Sequence, residues 1–488
     1  MGRMGSGHGP LALRRGGLIL SETIHVLNAI GGAWREAQDG RRLDDVGPSD
    51  GAVIATIPRS SSLDVEDAVC AAESAQAAWG ARSIEERAEM LDAIADVMEA
   101  HADDLAKLEA LDTGKPWDVA RHVDIDRCVR NFRFFAELGR TSPQQTFAMN
   151  DAMNHVLRKP IGVVGLISPW NLPLYLLTWK VAPALLMGNA IVAKPSEITP
   201  LTAHRFSELA LEAGLPAGLL NVLHGLGPEV GQAIVEHPRI AAISFTGGTS
   251  TGRIVAATAA PMFKKLSLEL GGKNATVVLD DADLEAVLPG VVRSGFLNSG
   301  QICLCGSRVL VHASLYDDFL TRFVDAVKHF PIGPVISEAH RDKVEGYLAL
   351  AVEEGGELLT GGTRGPGTGF HLAPAVIAGL SPNSRCATEE IFGPVVTVHP
   401  FETEEEALAI ANGTEYGLAG SVWTGDAERG RRFAEQMDTG MVWVNTWLHR
   451  DLRVPFGGVK HSGVGREGGE WSLGFFSEAV NICVADDA

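Results

Sequence analysis

No stretch of the 488-residue chain approaches about eighteen uninterrupted apolar residues, so nothing in it reads as a membrane-spanning helix. Cysteine is scarce. The six that occur, at positions 70, 128, 303, 305, 386 and 483, are too few and too scattered for a disulfide framework, which points to a reducing, cytoplasmic setting. Only Cys303 and Cys305 are neighbours, and a C-x-C without a second Cys or His cluster is a weak zinc signal, so no metal is expected. Positive charge is in deficit: 41 Lys and Arg against 61 Asp and Glu leave a net −20. Such a chain repels phosphate backbones and anionic membrane surfaces, which makes nucleic acid and membranes poor partners. An anionic small substrate would need a cation placed for it. No internal repeat of fixed period is visible, and low complexity is confined to a Gly-rich patch at 361–369.

What is present is ordinary for a globular protein. Apolar residues make up 45% and charged residues 21%, which excludes global disorder. At about 150 residues per domain the length gives roughly three domain equivalents, ample for a large buried core. The 55 glycines suggest many tight turns or close approaches of backbone to ligand. Residues 1–21 carry Arg3, Arg14 and Arg15 with no acid before Glu22, faintly like a transit peptide. The apolar run Gly17–Leu20 is too short for a secretory signal, and a loose extension is expected.

Periodicity organises the rest. A strand at Val53–Ile57 precedes a helical pair over 63–110, and 144–160 is an extended segment. From Gly162–Ile167 onward, apolar strands at Ala190–Lys194, Leu219–His224 and Ile240–Thr246 alternate with helices at Tyr175–Met187, Ala203–Ala213 and Glu229–Glu236. That rhythm predicts a doubly wound parallel sheet with ligand crevices at the strand C-termini. A second alternating unit runs from Asn274–Leu279 to about residue 445, with strands at Ser307–Val311, Val395–Pro400 and Met441–Asn445 and helices at Leu315–Lys328, Glu338–Glu353 and Ala427–Met437. The fold class is therefore α/β, with two such units in tandem. The last strand, Ala479–Val484, would pair with 144–158 or with another subunit.

Several residues could carry chemistry. Cys303 follows small residues that could expose a thiol, and a nucleophilic Cys needs a lowered pKa or a base together with oxyanion donors; the competing reading is a buried hydrophobe, which serves equally for Cys305. Glu269 ends an apolar segment before two glycines, where its pKa would rise and it could activate water; alternatively it faces solvent at a sheet edge. Asn171 follows the first buried strand and could aim its amide into the crevice, or simply form a turn. Lys194 and Glu197 suit the two hydroxyls of a ribose, with the carboxylate repelling a 2′-phosphate; the alternative is surface charge. Thr246-Gly247-Gly248 opens a helix after a strand and could cradle a pyrophosphate, though it is not the G-x-G-x-x-G fingerprint.

Together these motifs coincide. Ser168-Pro-Trp-Asn-Leu-Pro-Leu-Tyr175, Lys194-Pro-Ser-Glu197, Phe245-Thr-Gly-Gly248, Glu269-Leu-Gly-Gly272, Gly300-Gln-Ile-Cys303 and Glu390-Ile-Phe-Gly-Pro394 stand in the order and approximate spacing of the aldehyde dehydrogenase superfamily, which the chain resembles from about residue 28 to its C-terminus. The resemblance implies an N-terminal extension (1–27), an NAD-binding domain (28–140 and 161–272), a catalytic domain (273–455) and a small β oligomerisation element (141–160 and 474–488) serving a homodimer or homotetramer. It implies Cys303 as nucleophile, held ionised beside a nicotinamide ring, Glu269 as general base and Asn171 as oxyanion donor. Lys194 and Glu197 would hold the adenosine ribose, and Glu390 with Phe392 the nicotinamide ribose. Trp170, Gly247 and Gly248 would form the pyrophosphate and cofactor pocket. The implied activity is NAD-dependent oxidation of an aldehyde to an acid through a Cys303 thiohemiacetal and thioester. Two departures stand out: Gly248 occupies a position where many relatives carry Ser, and Val327–Pro334 is shorter than the usual loop.

Leu172–Lys180, Ile302–Arg308, Trp443–Arg453 and Asn481–Val484 resemble the branch that acts on 2-aminomuconic and 2-hydroxymuconic semialdehydes, with a lean toward the amino substrate. Such substrates carry a distal carboxylate, and Arg121 and Arg450 are the expected grips because guanidinium binds carboxylate bidentately. Arg450 could instead pair with Asp451, and Arg453 is a lesser candidate. Two other readings are a broad-specificity enzyme for neutral aldehydes and a non-catalytic binding protein on the same scaffold.

Overall fold

The computed structural model describes residues 12–14, 17–19, 23–142 and 145–485. Most of the expected N-terminal extension lies outside the described residues. Its end does not: Ile24–His25 pairs in parallel with Ala55 and Thr56 in a three-stranded sheet with Arg42–Val46 and Val53–Pro58.

The region expected to hold a helical pair holds three helices, Ser62–Gly80, Ile84–Ala100 and Ala102–Thr113. Reciprocal capping boxes start the first two. Ser61 and Asp64 exchange side-chain-to-backbone bonds, as do Ser83 and Glu86, a device worth about 1 kcal/mol per cap. His101 ends the second helix and starts the third without a side-chain cap, a break that an apolar period cannot reveal.

One sheet of eight strands runs in the order Gly463–Val464, Lys265–Glu269, Ile240–Thr246, Val163–Ile167, Ala190–Lys194, Leu220–Val222, Asn28–Ile30 and Ala33–Arg35. The five strands from Lys265–Glu269 to Leu220–Val222 are parallel. They are apolar because helices cover them on both sides. The chain winds outward from Val163–Ile167 through Ala190–Lys194 to Leu220–Val222, then returns to Ile240–Thr246 on the other side of the first strand. The order therefore reverses between Val163–Ile167 and Ile240–Thr246, and the crevice at their C-terminal ends is where such sheets bind ligands.

A seven-stranded sheet holds Glu357–Thr360, Ala375–Ala378, Val395–Phe401, Arg308–His312, Ala275–Val278, Ala419–Trp423 and Met441–Val444 in that order, all parallel except the first. Only five residues, 270–274, separate the last strand of the first sheet's parallel set from Ala275–Val278, an interior strand of the second. The terminal strand, Ser477–Ala485, pairs antiparallel with Ala152–Pro160 of the same chain, from Ser477 opposite Pro160 to Ala485 opposite Ala152, and Gln145–Ala148 completes this third sheet.

Candidate active site

The thiol, the amide and two glycines meet at the crevice. After the Leu284–Phe296 helix the backbone turns left-handed at Asn298, Ser299 and Gly300, with φ of 53°, 56° and 70°. Gly300 is required there, because a Cβ would lie 2.1 Å from the Gly393 carbonyl oxygen. Amide side chains then fix the following segment. Asn274 Nδ2 donates to the carbonyls of Cys303 (2.7 Å) and Cys305 (2.9 Å). Gln301 Nε2 donates to Asn298 O at 3.1 Å, and its Oε1 accepts from Ile336 N–H at 2.9 Å. Ser299 Oγ donates to Gly333 O at 2.8 Å, so the 327–334 segment braces the Cys303 loop.

The resulting cleft, about 260 Å³, is lined by Cys303 and Asn171 together with Trp170, Gly247, Gly248 and Glu390. Asn171 follows the Val163–Ile167 strand and is buried; its Nδ2 donates to Gln301 O at 2.9 Å. An amide nitrogen has two N–H groups, so one remains for an oxyanion. Cys303 is half-buried, whereas Cys305 is buried, with Sγ 3.9 Å from Leu297 O. Burial, then the negative charges of Glu390 and Glu269, push the Cys303 thiol up, and Arg450 offsets part of this. The expectation of a sulfur held ionised by its surroundings is therefore corrected: the resting group is a neutral thiol, and its proton must leave when substrate arrives.

Glu269 ends the Lys265–Glu269 strand and is buried, not exposed at a sheet edge. Neither carboxyl oxygen has a hydrogen-bond partner among the described residues. Burial and then Glu467 hold this carboxyl well above the usual range, while Lys180 and Arg466 pull it back. Lys180 Nζ lies 2.6 Å from Glu467 Oε1 and donates to Ser244 Oγ at 2.8 Å. Glu269 is absent from the cleft wall itself, but its charge acts on the thiol.

The remaining expected cofactor residues extend from this cleft. Lys194 ends the adjacent strand, buried, and donates to Glu197 Oε2 at 2.9 Å. Glu390 Oε1 accepts from Gly272 N–H at 2.8 Å. The Phe392 ring meets Trp170 edge-on with centroids 5.3 Å apart, and its backbone is left-handed at φ 62°. His340 Nε2 lies 2.7 Å from Phe392 O, and burial lowers this imidazole to about 4, so it is neutral and donates. The residues fit a dinucleotide. The Thr249–Ala259 helix starts at Gly248 with no side-chain cap, nothing lies within 4 Å of where a Gly248 Cβ would stand, and the buried Thr246 Oγ1 lacks a partner. The Gly247 N–H is given to Glu269 O at 3.0 Å, so it is the start of the helix after Gly248, with open space before it, that suits a pyrophosphate. The hydroxyl that Ser would supply at 248 is replaced by this backbone-only cradle.

The aldehyde dehydrogenase family matches residues 34–482. The chain belongs to the aldehyde dehydrogenase family. It is 44% identical over 483 residues to the 2-aminomuconic semialdehyde dehydrogenase of Mus musculus, covering 95% of this chain and 99% of that one. It is equally 44% identical over 487 residues to the 2-hydroxymuconic semialdehyde dehydrogenase of Pseudomonas sp. (strain CF600), covering 95% and 100%. Among solved structures, betaine aldehyde dehydrogenase of Staphylococcus aureus in complex with NAD+ superposes with a TM-score of 0.91 at 38% identity, covering 94% of each chain. An aldehyde dehydrogenase of Bacillus cereus, also an NAD+ complex, gives 0.93 at 37% identity, covering 95% and 97%.

Within this aldehyde dehydrogenase the two expected substrate arginines part company. Arg121 lies in the wide turn Ala120–Ile125, where i and i+5 come into register; it pairs with Asp126 and donates from Nε to Asp103 Oδ1 at 2.8 Å. It lines neither described cavity, and both of its ion-pair partners are carboxylates of the chain itself. Arg450 does line a cavity of about 780 Å³, with Arg130, Phe134, Trp443 and His449. Its Cζ sits 4.1 Å from the centre of the Phe456 ring. The competing partner, Asp451, is taken by Arg453, whose Nε donates to both of its oxygens at 2.9 and 3.1 Å. Arg450 has no ion-pair partner among the described residues, while its charge is felt at both Cys303 and Glu269.

Sequence reasoning missed Lys180, Glu467 and His340. Lys180 carried a signal: a lone charge in Pro173–Leu186, a helix buried on nearly every side, requires a buried partner.

Proposed function

We propose that this chain oxidises an aldehyde bearing a distal carboxylate, of the 2-amino- or 2-hydroxymuconic semialdehyde kind, to the corresponding acid. It is an NAD-dependent aldehyde dehydrogenase, and the carboxylate preference rests on one observation: Arg450 lines a cavity without an ion-pair partner among the described residues, and its charge reaches the thiol. A guanidinium in a −20 chain that escapes every neighbouring acid is available to an anionic ligand.

The steps follow from the residues. The Cys303 thiol gives its proton to solvent, its sulfur bonds to the aldehyde carbon, and the C=O electron pair moves to oxygen. The second N–H of Asn171 and the Cys303 backbone N–H hold that oxyanion. NAD, when bound, supplies the acceptor for the hydride lost from this carbon. Lys194, Glu197 and Glu390 bind its riboses, and the glycine cradle at 247–248 binds its phosphates. Cys303 is then a thioester. Glu269, in its ionised form, takes a proton from water as the water attacks, releasing the acid and restoring the sulfur.

We further assign residues 28–140 and 161–272 to cofactor binding and 273–455 to the nucleophile. The element assigned to 141–160 and 474–488, whose sheet of Gln145–Ala148, Ala152–Pro160 and Ser477–Ala485 exposes Phe147, Ile482 and Val484, would serve a homodimer or homotetramer. Six free cysteines fit the reducing cytoplasm. No helix among the described residues is long and apolar enough to cross a membrane.

The test is turnover of 6-oxohexanoate against hexanal. Arg450→Gln is expected to raise KM for the carboxylate-bearing aldehyde by about 10–100-fold, the worth of a lost charge-assisted contact, and to do so selectively. Equal losses on hexanal would favour the neutral-aldehyde reading. For the cofactor, Glu197→Gln is expected to improve kcat/KM for NADP by about tenfold, because a like charge facing the 2′-phosphate is gone. A wild-type preference for NADP in the same assay would overturn that assignment.

A further inference from the structure

Asn171 belongs to no helix or strand: it lies between the Val163–Ile167 strand and the Pro173–Leu186 helix. No backbone N–H among the described residues donates to its carbonyl. Two side chains do so instead. Lys115 Nζ lies 3.2 Å from Asn171 O and Asn298 Nδ2 lies 3.1 Å from it. One comes from the loop after the Ala102–Thr113 helix, the other from the left-handed turn that leads to Cys303.

The lysine is placed with care. The chain turns left-handed at Gly114, φ 70°, where a Cβ would stand 2.4 Å from Pro334 Cγ, so glycine is required before Lys115 can enter the interior. Its ammonium pairs with Asp124, and both side chains are buried. Asp124 sits in the wide turn Ala120–Ile125, the kind of helical irregularity that is frequent at functional sites. A second buried acid, Glu109, is raised by burial, and Thr202 Oγ1 donates to its Oε2 at 2.7 Å. Asp124 is therefore the lysine's direct partner.

Stability alone is a poor reason for this arrangement. Taking two charges out of water costs about as much as their attraction returns, and a buried carbonyl needs only one neutral donor. Here the carbonyl has two donors, one of them charged and carrying its own counter-ion. The peptide after Asn171 is thereby held from two directions. The side chain of the same residue is fixed at its far end, where Nδ2 donates to Gln301 O at 2.9 Å. Asn171 and the Cys303 loop thus exchange amides: Asn171 holds a loop carbonyl, and Asn298 of the loop holds the Asn171 carbonyl. We propose that Lys115 and Asn298 are positioning residues, which clamp the Asn171 carbonyl and so aim its remaining N–H at the oxygen of the bound aldehyde. The proposal rests on the oxyanion role given to Asn171 above.

The test is a cycle of variants in the full chain, read as kcat/KM for 6-oxohexanoate at saturating NAD. Asn171→Ala alone is expected to lower it by about 10²–10³-fold, the worth of one oxyanion donor. Lys115→Met alone is expected to lower it by about 10–100-fold, because a misplacement of about 1 Å costs that order. In the Asn171→Ala background the same change should cost less than about twofold, since the amide it positions is gone. A lysine that merely supports the fold would exact its full factor in both backgrounds. That result overturns the proposal, as does a Lys115→Met enzyme with wild-type kcat/KM. Should Lys115→Met fail to fold, judged by loss of NAD-dependent thermal stabilisation, Asn298→Gly takes its place in the cycle. Glycine keeps the left-handed backbone and removes the other donor. Losses there that add to those of Asn171→Ala overturn the proposal, and losses that do not add support it. An Asn171→Ala enzyme with wild-type kcat/KM removes the oxyanion role itself, and this inference with it.

Discussion

Cys303→Ala is expected to lower aldehyde-dependent NADH formation by about 10⁴-fold or more, while NAD still binds. Of the six cysteines, Cys303 is the one that lines the crevice beside Asn171. Cys305, two residues on, cannot substitute: it is buried and does not line the crevice. The check is twofold, NADH absorbance on mixing with aldehyde and protein mass after acid quench. The wild type should show an acyl adduct on the Cys303 peptide and the variant none. Turnover that survives the substitution would mean that the sulfur is not the nucleophile, and the non-catalytic reading of the scaffold would not explain it either.

Glu269→Gln is expected to lower steady-state kcat by about 10²–10⁴-fold while leaving a first turnover visible as a burst of NADH. Hydrolysis of the thioester needs a base, and the amide of Gln cannot accept the proton. The same residue sets a pH dependence. Its carboxyl is held well above the ordinary carboxylate range, by burial first and by Glu467 second. Only the ionised form activates water, so wild-type kcat should rise with pH through that elevated value and fall away below it. The Gln variant should lack this limb. Stopped-flow traces across pH measure both effects, and an unaltered kcat with an unaltered limb would remove Glu269 from the mechanism.

The three residues proposed for catalysis stand out in the sequence because each sits in a short local motif at a strand end or loop, where type and neighbours carry the message. The strands were legible for a related reason: a parallel sheet covered on both faces must be apolar throughout, as Val163–Ile167 and Ala190–Lys194 are. The arginines were harder. Arg121 and Arg450 look alike as residue types, and what separates them is which acids fold within reach: Asp103 and Asp126 claim the first, whereas Arg453 diverts Asp451 from the second. Lys180 and Glu467 are 287 positions apart, so their pairing belongs to the tertiary structure alone. The charge state of Cys303 was misjudged for the same reason, since the motif shows the thiol but not the burial around it.

The proposed nucleophile and base ride on separate platforms. Cys303 is tied by Asn274 to the seven-stranded sheet, whereas Glu269 caps a strand of the eight-stranded one. Any hinge or slide between the two halves therefore alters the sulfur-to-carboxylate separation directly, and a misalignment of about 1 Å can slow a reaction roughly a hundredfold. Substitutions at the seam, far from any ligand, can throttle this enzyme as surely as those that touch the aldehyde.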